Sequence, residues 1–331
     1  MWVHLTKEQK QNIIKQTAVK TGLPDYAVEK DAWVCIVLQA VFQSKYASHI
    51  IFKGGTSLSK AYQIINRFSE DIDLIIDKSF LGFEALPSKM AIKRLRTASG
   101  SFIINEFREE LINQLTQLNI AANTYTIKYN DKVDDTSDPN TLEFYYDPLI
   151  ESNNSYIQPR VLIEMGARSL TEPVEEREII SFIDTEYAHL PFAQKATKVN
   201  VVVPTRTFIE KVLLLHEEFL KPIDQIRSER LSRHLYDIDR LADSEFAQRA
   251  YSDHSLFDQI VAHRKAVTPL RNISYEFHKR DTLQIIPPVE VYNNWEQDYK
   301  TMQENMIIGE SKSFPNLLEK MKEVMQNFKT N

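Results

Sequence analysis

The sequence predicts an α+β fold: a first half, residues 1–204, in which strands and helices are interleaved, and a mainly helical second half, residues 205–331. Three observations carry this. Short β-branched and apolar runs bounded by turn residues recur up to Pro204, while from Thr205 onward the apolar spacing is that of helices. Glycine is scarce, 7 residues in 331, against about 23 at ordinary usage. Two of the seven, Gly54 and Gly55, are adjacent, between a strand pattern and a helix pattern.

The elements follow in order. Residues 6–20 and 25–46 read as helices, with Thr6 and Asp25 as N-caps and Gly22 and Pro24 between them. The second is apolar over most of its surface and reads as a core helix. Its single cysteine, Cys35, lies among Trp33, Val34, Ile36 and Val37 and reads as packing, not as a nucleophile. His49–Lys53 is a short buried strand, Leu58 to about Asn66 a helix, and Glu70–Ile76 a second strand. A helical region spans about 88–119. Strands follow at 125–129, 142–146 and 160–165, the first two joined by a turn-rich stretch at 134–140, and a last strand or extended link lies at 199–204. Helices are predicted at 205–220, 229–243 and 245–265, with at least two after Pro288.

Composition excludes several classes. With 43% hydrophobic and 26% charged residues the chain is neither disordered nor a coiled-coil rod. A net charge of −6, from 40 Lys+Arg against 46 Asp+Glu, argues against coating of nucleic acid by bulk charge. One cysteine permits neither a disulfide framework nor a cysteine-rich zinc site. No apolar run approaches the roughly 20 residues of a membrane span, and no export signal is visible, so a cytoplasmic location is expected.

The chemistry concentrates in one stretch. A glycine pair between strand and helix lets the backbone turn sharply and come close to a ligand, and free N–H groups at a helix start favour phosphate. Thr56 and Ser57 could add hydroxyl donors, or could simply cap the helix. Asp71 and Asp73 are two apart in a strand pattern, so both carboxylates point to one face and can hold divalent cations between them. The triplet recurs as Asp237-Ile238-Asp239, but in a helical pattern, where positions two apart diverge. A phosphate-binding G-x-x-x-x-G-K-[S/T] loop is absent, and Gly54-Gly55 lacks the further glycine of a dinucleotide-binding turn.

Strand, Gly-Gly-Thr-Ser, helix and Asp-x-Asp together resemble the nucleotidyltransferase signature of the DNA polymerase β-like superfamily. Phe52 to Tyr62 and Arg67 to Leu74 resemble more closely the AbiEii family of nucleotidyltransferase toxins, the toxin half of type IV toxin–antitoxin or abortive-infection pairs. Phe208-Ile209-Glu210-Lys211-Val212-Leu213 is similar to that family's lysine motif, and Ser232-Arg233-His234-Leu235-Tyr236-Asp237 to its arginine–aspartate motif. The resemblance implies a mixed sheet flanked by helices, and a helical C-terminal domain contributing to the active site. It also implies two Mg²⁺ ions on Asp71 and Asp73, an NTP substrate, an RNA acceptor with tRNA foremost, and a cognate antitoxin. Gly54, Gly55, Thr56, Ser57 and Ser69 would form the nucleotide-binding turn. Lys211 and Arg233 would contact the triphosphate, and Asp237 would belong to the active site.

Glu164 is the best-placed third carboxylate, either completing a metal shell or taking the acceptor's proton; the alternative is a solvent-facing strand glutamate. Lys211 could equally snorkel from a core helix, and Arg233 with Asp237 could be an ordinary i,i+4 surface pair. His234 reads as structural, with no second histidine at metal-ligand spacing. An RNA substrate requires a local basic surface, for which Lys89, Lys93, Arg94, Arg96 and separately Arg227, Arg230 and Arg233 are available. Two other functions fit the same residues: nucleotide transfer to a protein side chain or small molecule, and a catalytically silent interaction module.

Overall fold

A computed structural model describes residues 1–84, 88–129, 139–151, 158–171, 173–267, 269–270 and 273–331. The chain divides into two compact units: Met1–Tyr62 with Phe68–Val202, and Gln63–Arg67 with Val203–Asn331.

The first unit begins with helix α1, Lys7–Thr21, closed at its start by a capping box between Thr6 and Gln9 and at its end by Gly22 in the left-handed conformation at φ 72°. Helix α2, Asp25–Gln43, follows Pro24 and ends three residues before the expected boundary, with Ser44 as its C-cap. Strand β1 is Ile50–Lys53 and helix α3 is Gly54–Lys60. Strand β2, Asp71–Ile76, is followed by helix α4, Lys89–Phe102, which continues through a π-helical turn at Ile103–Phe107 into helix α5, Arg108–Gln117. Strands β3, Tyr125–Tyr129, β4, Asn140–Tyr146, and β5, Arg160–Gly166, come next. Positions 134–138 of the expected turn before β4 lie outside the described residues. Strand β6, Val174–Ile179, helix α6, Phe182–Glu186, and strand β7, Thr197–Val202, complete the unit.

Among the described residues the sheet has seven strands in the order β3-β4-β5-β2-β1-β7-β6. It is mixed: β2 runs parallel to β5 and β1 parallel to β7, while the other neighbours are antiparallel. The predicted α+β architecture is what forms. Strand β6 escapes sequence reading because Val-Glu-Glu-Arg-Glu-Ile does not alternate. It is an edge strand, and exposed charges on an edge discourage pairing with another chain.

Helix α2 packs on the sheet, with Val34, Val37, Leu38 and Val41 fully buried. Its buried charges are all engaged. Lys30 reaches Glu70 at 2.5 Å, Asp31 pairs with Lys60, and the Glu29 carboxylate accepts from the backbone N–H groups of Leu149 and Ile150 at 2.8 and 3.2 Å. Burial pushes the Cys35 thiol well above its ordinary value, which fits packing.

The second unit is helical. Helices α7, Pro204–Phe219, α8, Ser232–Ala242, α9, Glu245–Ser252, α10, His254–Val267, α11, Tyr292–Asn305, and α12, Phe314–Thr330, bury Phe208, Ile209, Leu235, Ile238, Leu317 and Met321 in a common core. The single helix expected over 245–265 is two, because the Asp253 carboxylate accepts from Leu256 N–H at 2.9 Å and starts a new one. Residues 63–67 join this unit: Asn66 C=O accepts from Ile308 N–H at 2.8 Å, and Arg67 bridges to Ile307. Helix α3 therefore stops at Lys60, well short of Asn66.

Candidate active site

In the first unit the carboxylates are placed by strand alternation. Along β2, Asp71 and Asp73 are half-buried and share one face, while Ile72 and Leu74 point into the core. The parallel register sets Asp73 beside Glu164 and Asp71 beside Leu162, and the antiparallel register sets Lys53 on the other side of Asp73. Residues opposite one another across a strand pair project to the same face. Glu164 thus lies next to the acidic pair, on its face. Lys53 is a neighbour the sequence did not single out; its ammonium lies 3.1 Å from Ser169 Oγ.

Gly54 explains why a glycine stands here. Its φ is +80°, and a Cβ at that position would lie 1.9 Å from Asp73 Oδ2 and 2.7 Å from Asp73 Cγ. The missing side chain is the space the Asp73 carboxylate occupies. Thr56 and Ser57, read as hydroxyl donors or as caps, are completely buried, and the N-cap position is Lys53. Thr56 Oγ1 donates to the Asp71 carbonyl and lies 2.9 Å from Ser69 Oγ, and Ser57 Oγ donates to Gly54 C=O at 2.9 Å. The Thr56 hydroxyl braces the start of α3 against β2, and the Ser57 hydroxyl closes the turn on itself.

Among the described residues no three His, Cys, Asp or Glu side chains form a ready metal cage. The donor set nevertheless fits Mg²⁺: carboxylate oxygens are hard ligands, and this ion is ordinarily held by one or two carboxylates with phosphate oxygens and water filling the remainder.

The second unit holds a buried charge cluster. Asp237 on α8 is fully buried and accepts two hydrogen bonds from Arg67, from Nε at 2.7 Å and Nη2 at 2.8 Å; Lys211 Nζ on α7 is 2.9 Å away. Burial by itself would raise the Asp237 carboxyl, but Arg67 and Lys211 outweigh it and hold the group well below the usual carboxylate range. Burial pushes the Lys211 ammonium below its ordinary value, opposed by Asp237. His234 is pushed well below its ordinary value by burial and by Lys211 and Arg233, so a neutral ring faces Lys211 through Nδ1 at 3.4 Å.

The alternative of an ordinary i,i+4 surface pair for Arg233 and Asp237 does not fit this arrangement. Asp237 is internal and is clamped by Arg67, 170 positions away. No local spacing could have revealed that partner. The second aspartate of the helical triplet, Asp239, pairs separately with Lys312 at 2.5 Å, as expected for positions that diverge on a helix. Of the basic clusters, Lys89, Lys93 and Arg94 are exposed on α4, whereas Arg227 is engaged by Glu218 at 2.7 Å.

No curated protein matches the chain. Among solved structures, MenT4, a nucleotidyltransferase toxin from Mycobacterium tuberculosis H37Rv, aligns over 99% of this chain and 90% of its own, at 14% identity and a TM-score of 0.52, which is a likeness of fold. JHP933 from Helicobacter pylori aligns over 85% of this chain and 97% of its own, at 15% identity and a TM-score of 0.34. A family model described as nucleotidyl transferase AbiEii toxin, Type IV TA system, matches residues 36–321, spanning both the sheet with its acidic pair and most of the helical unit; the chain belongs to this family of nucleotidyltransferase toxins.

Proposed function

We propose that the protein transfers a nucleotide from an NTP to the terminal hydroxyl of an RNA acceptor, tRNA foremost, releasing pyrophosphate. The observation that carries the reading is the Gly54–Asp73 contact: a positive-φ glycine leaves room for a carboxylate that shares its face with Asp71 and has Glu164 alongside. A sheet that needed only to pack would have no use for this combination.

In this reading Asp71 and Asp73 would hold two Mg²⁺ ions, which would supply charge compensation for the triphosphate. Gly54 and Gly55 let the backbone approach the phosphates, and Thr56, Ser57 and Ser69 fix the turn. Glu164 accepts the proton of the attacking hydroxyl. The acceptor oxygen forms a bond to the α-phosphorus as the bond to the bridging oxygen breaks, and pyrophosphate leaves. On the family likeness, Lys211 and Arg233 are assigned to triphosphate contact. Asp237, fully buried and clamped, is assigned to positioning Lys211 rather than to the chemistry. Family membership also implies a cognate antitoxin as partner.

The test is incubation with each labelled NTP and total tRNA. Label should appear on RNA with pyrophosphate release, vanish on Mg²⁺ chelation and return when Mg²⁺ is restored. Asp71→Asn and Asp73→Asn should each lower the rate by about 10³-fold or more while the fold is kept. Label found only on protein or on a small molecule overturns the RNA assignment, and full transfer by both variants overturns the site.

A further inference from the structure

The face bearing Asp71 and Asp73 does not end at Glu164. Strand register carries it across Arg160, Leu162 and Glu164 of β5, Thr141, Glu143 and Tyr145 of β4, and Thr126 and Lys128 of β3. All of these are half-buried or exposed, whereas the alternating residues Val161, Ile163, Met165, Leu142, Phe144 and Tyr146 are buried on the opposite face. Three rows result: Asp73, Glu164 and Thr141; Asp71, Leu162, Glu143 and Lys128; Arg160, Tyr145 and Thr126.

The outer end of this face is chemically distinct. Two cations stand near the Tyr145 ring, Lys128 Nζ 4.7 Å and Arg160 Cζ 6.0 Å from its centroid. Its hydroxyl donates to Glu143, which also accepts from Arg160 at 2.6 Å, so the aromatic ring and the guanidinium are held in place. Lys128, on the edge strand, is exposed. Aromatic, guanidinium and ammonium groups together on a sheet face are how flat protein surfaces take up single-stranded nucleic acid, with bases on the π-systems and phosphates on the cations. From strand spacing and rise, Tyr145 stands about 12 Å from Asp71 in the plane of the sheet, within the span of the last few nucleotides of a strand.

We propose that the β3–β4–β5 face seats the single-stranded 3′ end of the RNA acceptor, its bases stacking on Tyr145 and Arg160 and its phosphates meeting Lys128, so that the terminal hydroxyl is delivered along the sheet to the carboxylates. This rests on the nucleotidyltransferase reading above. It adds which surface receives the acceptor and selects an unpaired end over a blunt duplex.

The experiment measures binding without chemistry: fluorescence anisotropy, with no NTP present, using labelled tRNA that ends in an unpaired 3′ tail and the same RNA trimmed to a blunt stem. Tyr145→Ala should weaken binding of the tailed RNA about tenfold and leave the blunt RNA unaffected, while Tyr145→Phe should bind nearly as the wild type does. Lys128→Ala should reduce the slope of log affinity against log salt by about one unit. Lys128→Glu, at an exposed position, reads the same surface should Tyr145→Ala fold poorly. The Asp71→Asn/Asp73→Asn variant should bind tailed RNA like wild type while losing transfer, which separates failure of the docking face from failure of the catalytic reading. Unchanged affinity in both folded Tyr145→Ala and Lys128→Glu, or equal affinity of the wild type for tailed and blunt RNA, overturns the proposal.

Discussion

At the scale of single residues, two positions concentrate what the fold requires. Gly54→Ala forces a Cβ into the Asp73 carboxylate and places a side chain at φ +80°. The backbone strain costs about 1–2 kcal/mol. The larger effect is displacement of the carboxylate, which should lower transfer about a hundredfold in a protein that still folds. A steady-state rate near that of wild type would show that the close approach is irrelevant. Asp237→Asn leaves Arg67 and Lys211 facing a neutral amide inside the second unit, and should destabilise the protein by about 3 kcal/mol in urea unfolding. A loss below about 0.5 kcal/mol would mean the pair behaves as a surface bridge. The two residues differ in how far the sequence exposed them. A glycine pair is conspicuous where glycine is rare, but the same Arg67 and Asp237 look like two ordinary charges until the chain folds.

At the scale of elements, one hydroxyl joins α3 to the β2 backbone. Thr56 ties the first turn of the helix to the Asp71 carbonyl, and so ties the glycine turn to the carboxylates. Thr56→Val keeps the shape and removes the tie. It should cost about 1 kcal/mol of stability and lower the transfer rate, whereas Thr56→Ser should retain most of both. Equal activity of Thr56→Val and wild type would assign the hydroxyl to packing alone. Strand β2 was legible because charged and apolar residues alternate at period two, a property that survives folding unchanged. Strand β6 was not, because the charged run Glu175-Glu176-Arg177-Glu178 breaks that alternation. The end of α3 was hidden for another reason: Gln63 takes a left-handed turn at φ 54°, and the next residues are drawn to Ile308 and Asp237, neither of which is near in sequence.

At the scale of the whole molecule, the two units should respond to pH in opposite directions. Burial pushes the Glu29 carboxyl up to about 7 from an unperturbed 4.5. A group raised in the folded state contributes stability that is complete below its unfolded value and is lost as pH rises through the folded one, so the first unit should weaken by about 2 kcal/mol between pH 5 and 8. His216 in the second unit is lowered by burial to about 4 from 6.5. Its contribution is complete above 6.5 and is lost as pH falls toward 4, so the second unit should strengthen over much of the same window. Hydrogen exchange corrected for intrinsic rates reads the units separately, and Glu29→Gln should reduce the fall in protection of the first and leave the second unchanged. Protection changing in the same direction in both units would refute the assignment.

The sequence by itself determined the class of fold, the position of the glycine turn, and the placement of Asp71 and Asp73 on one face, since all three follow from local period and local backbone freedom. The tertiary structure decided the rest. Strand register put Glu164 and Lys53 beside Asp73, folding buried Asp237 against a cation 170 positions away, and the pairing of β3, β4 and β5 extended the acidic face into a basic, aromatic one. Neighbourhood across strands and burial inside a helical unit depend on which distant segments meet, and no spacing along the chain records that.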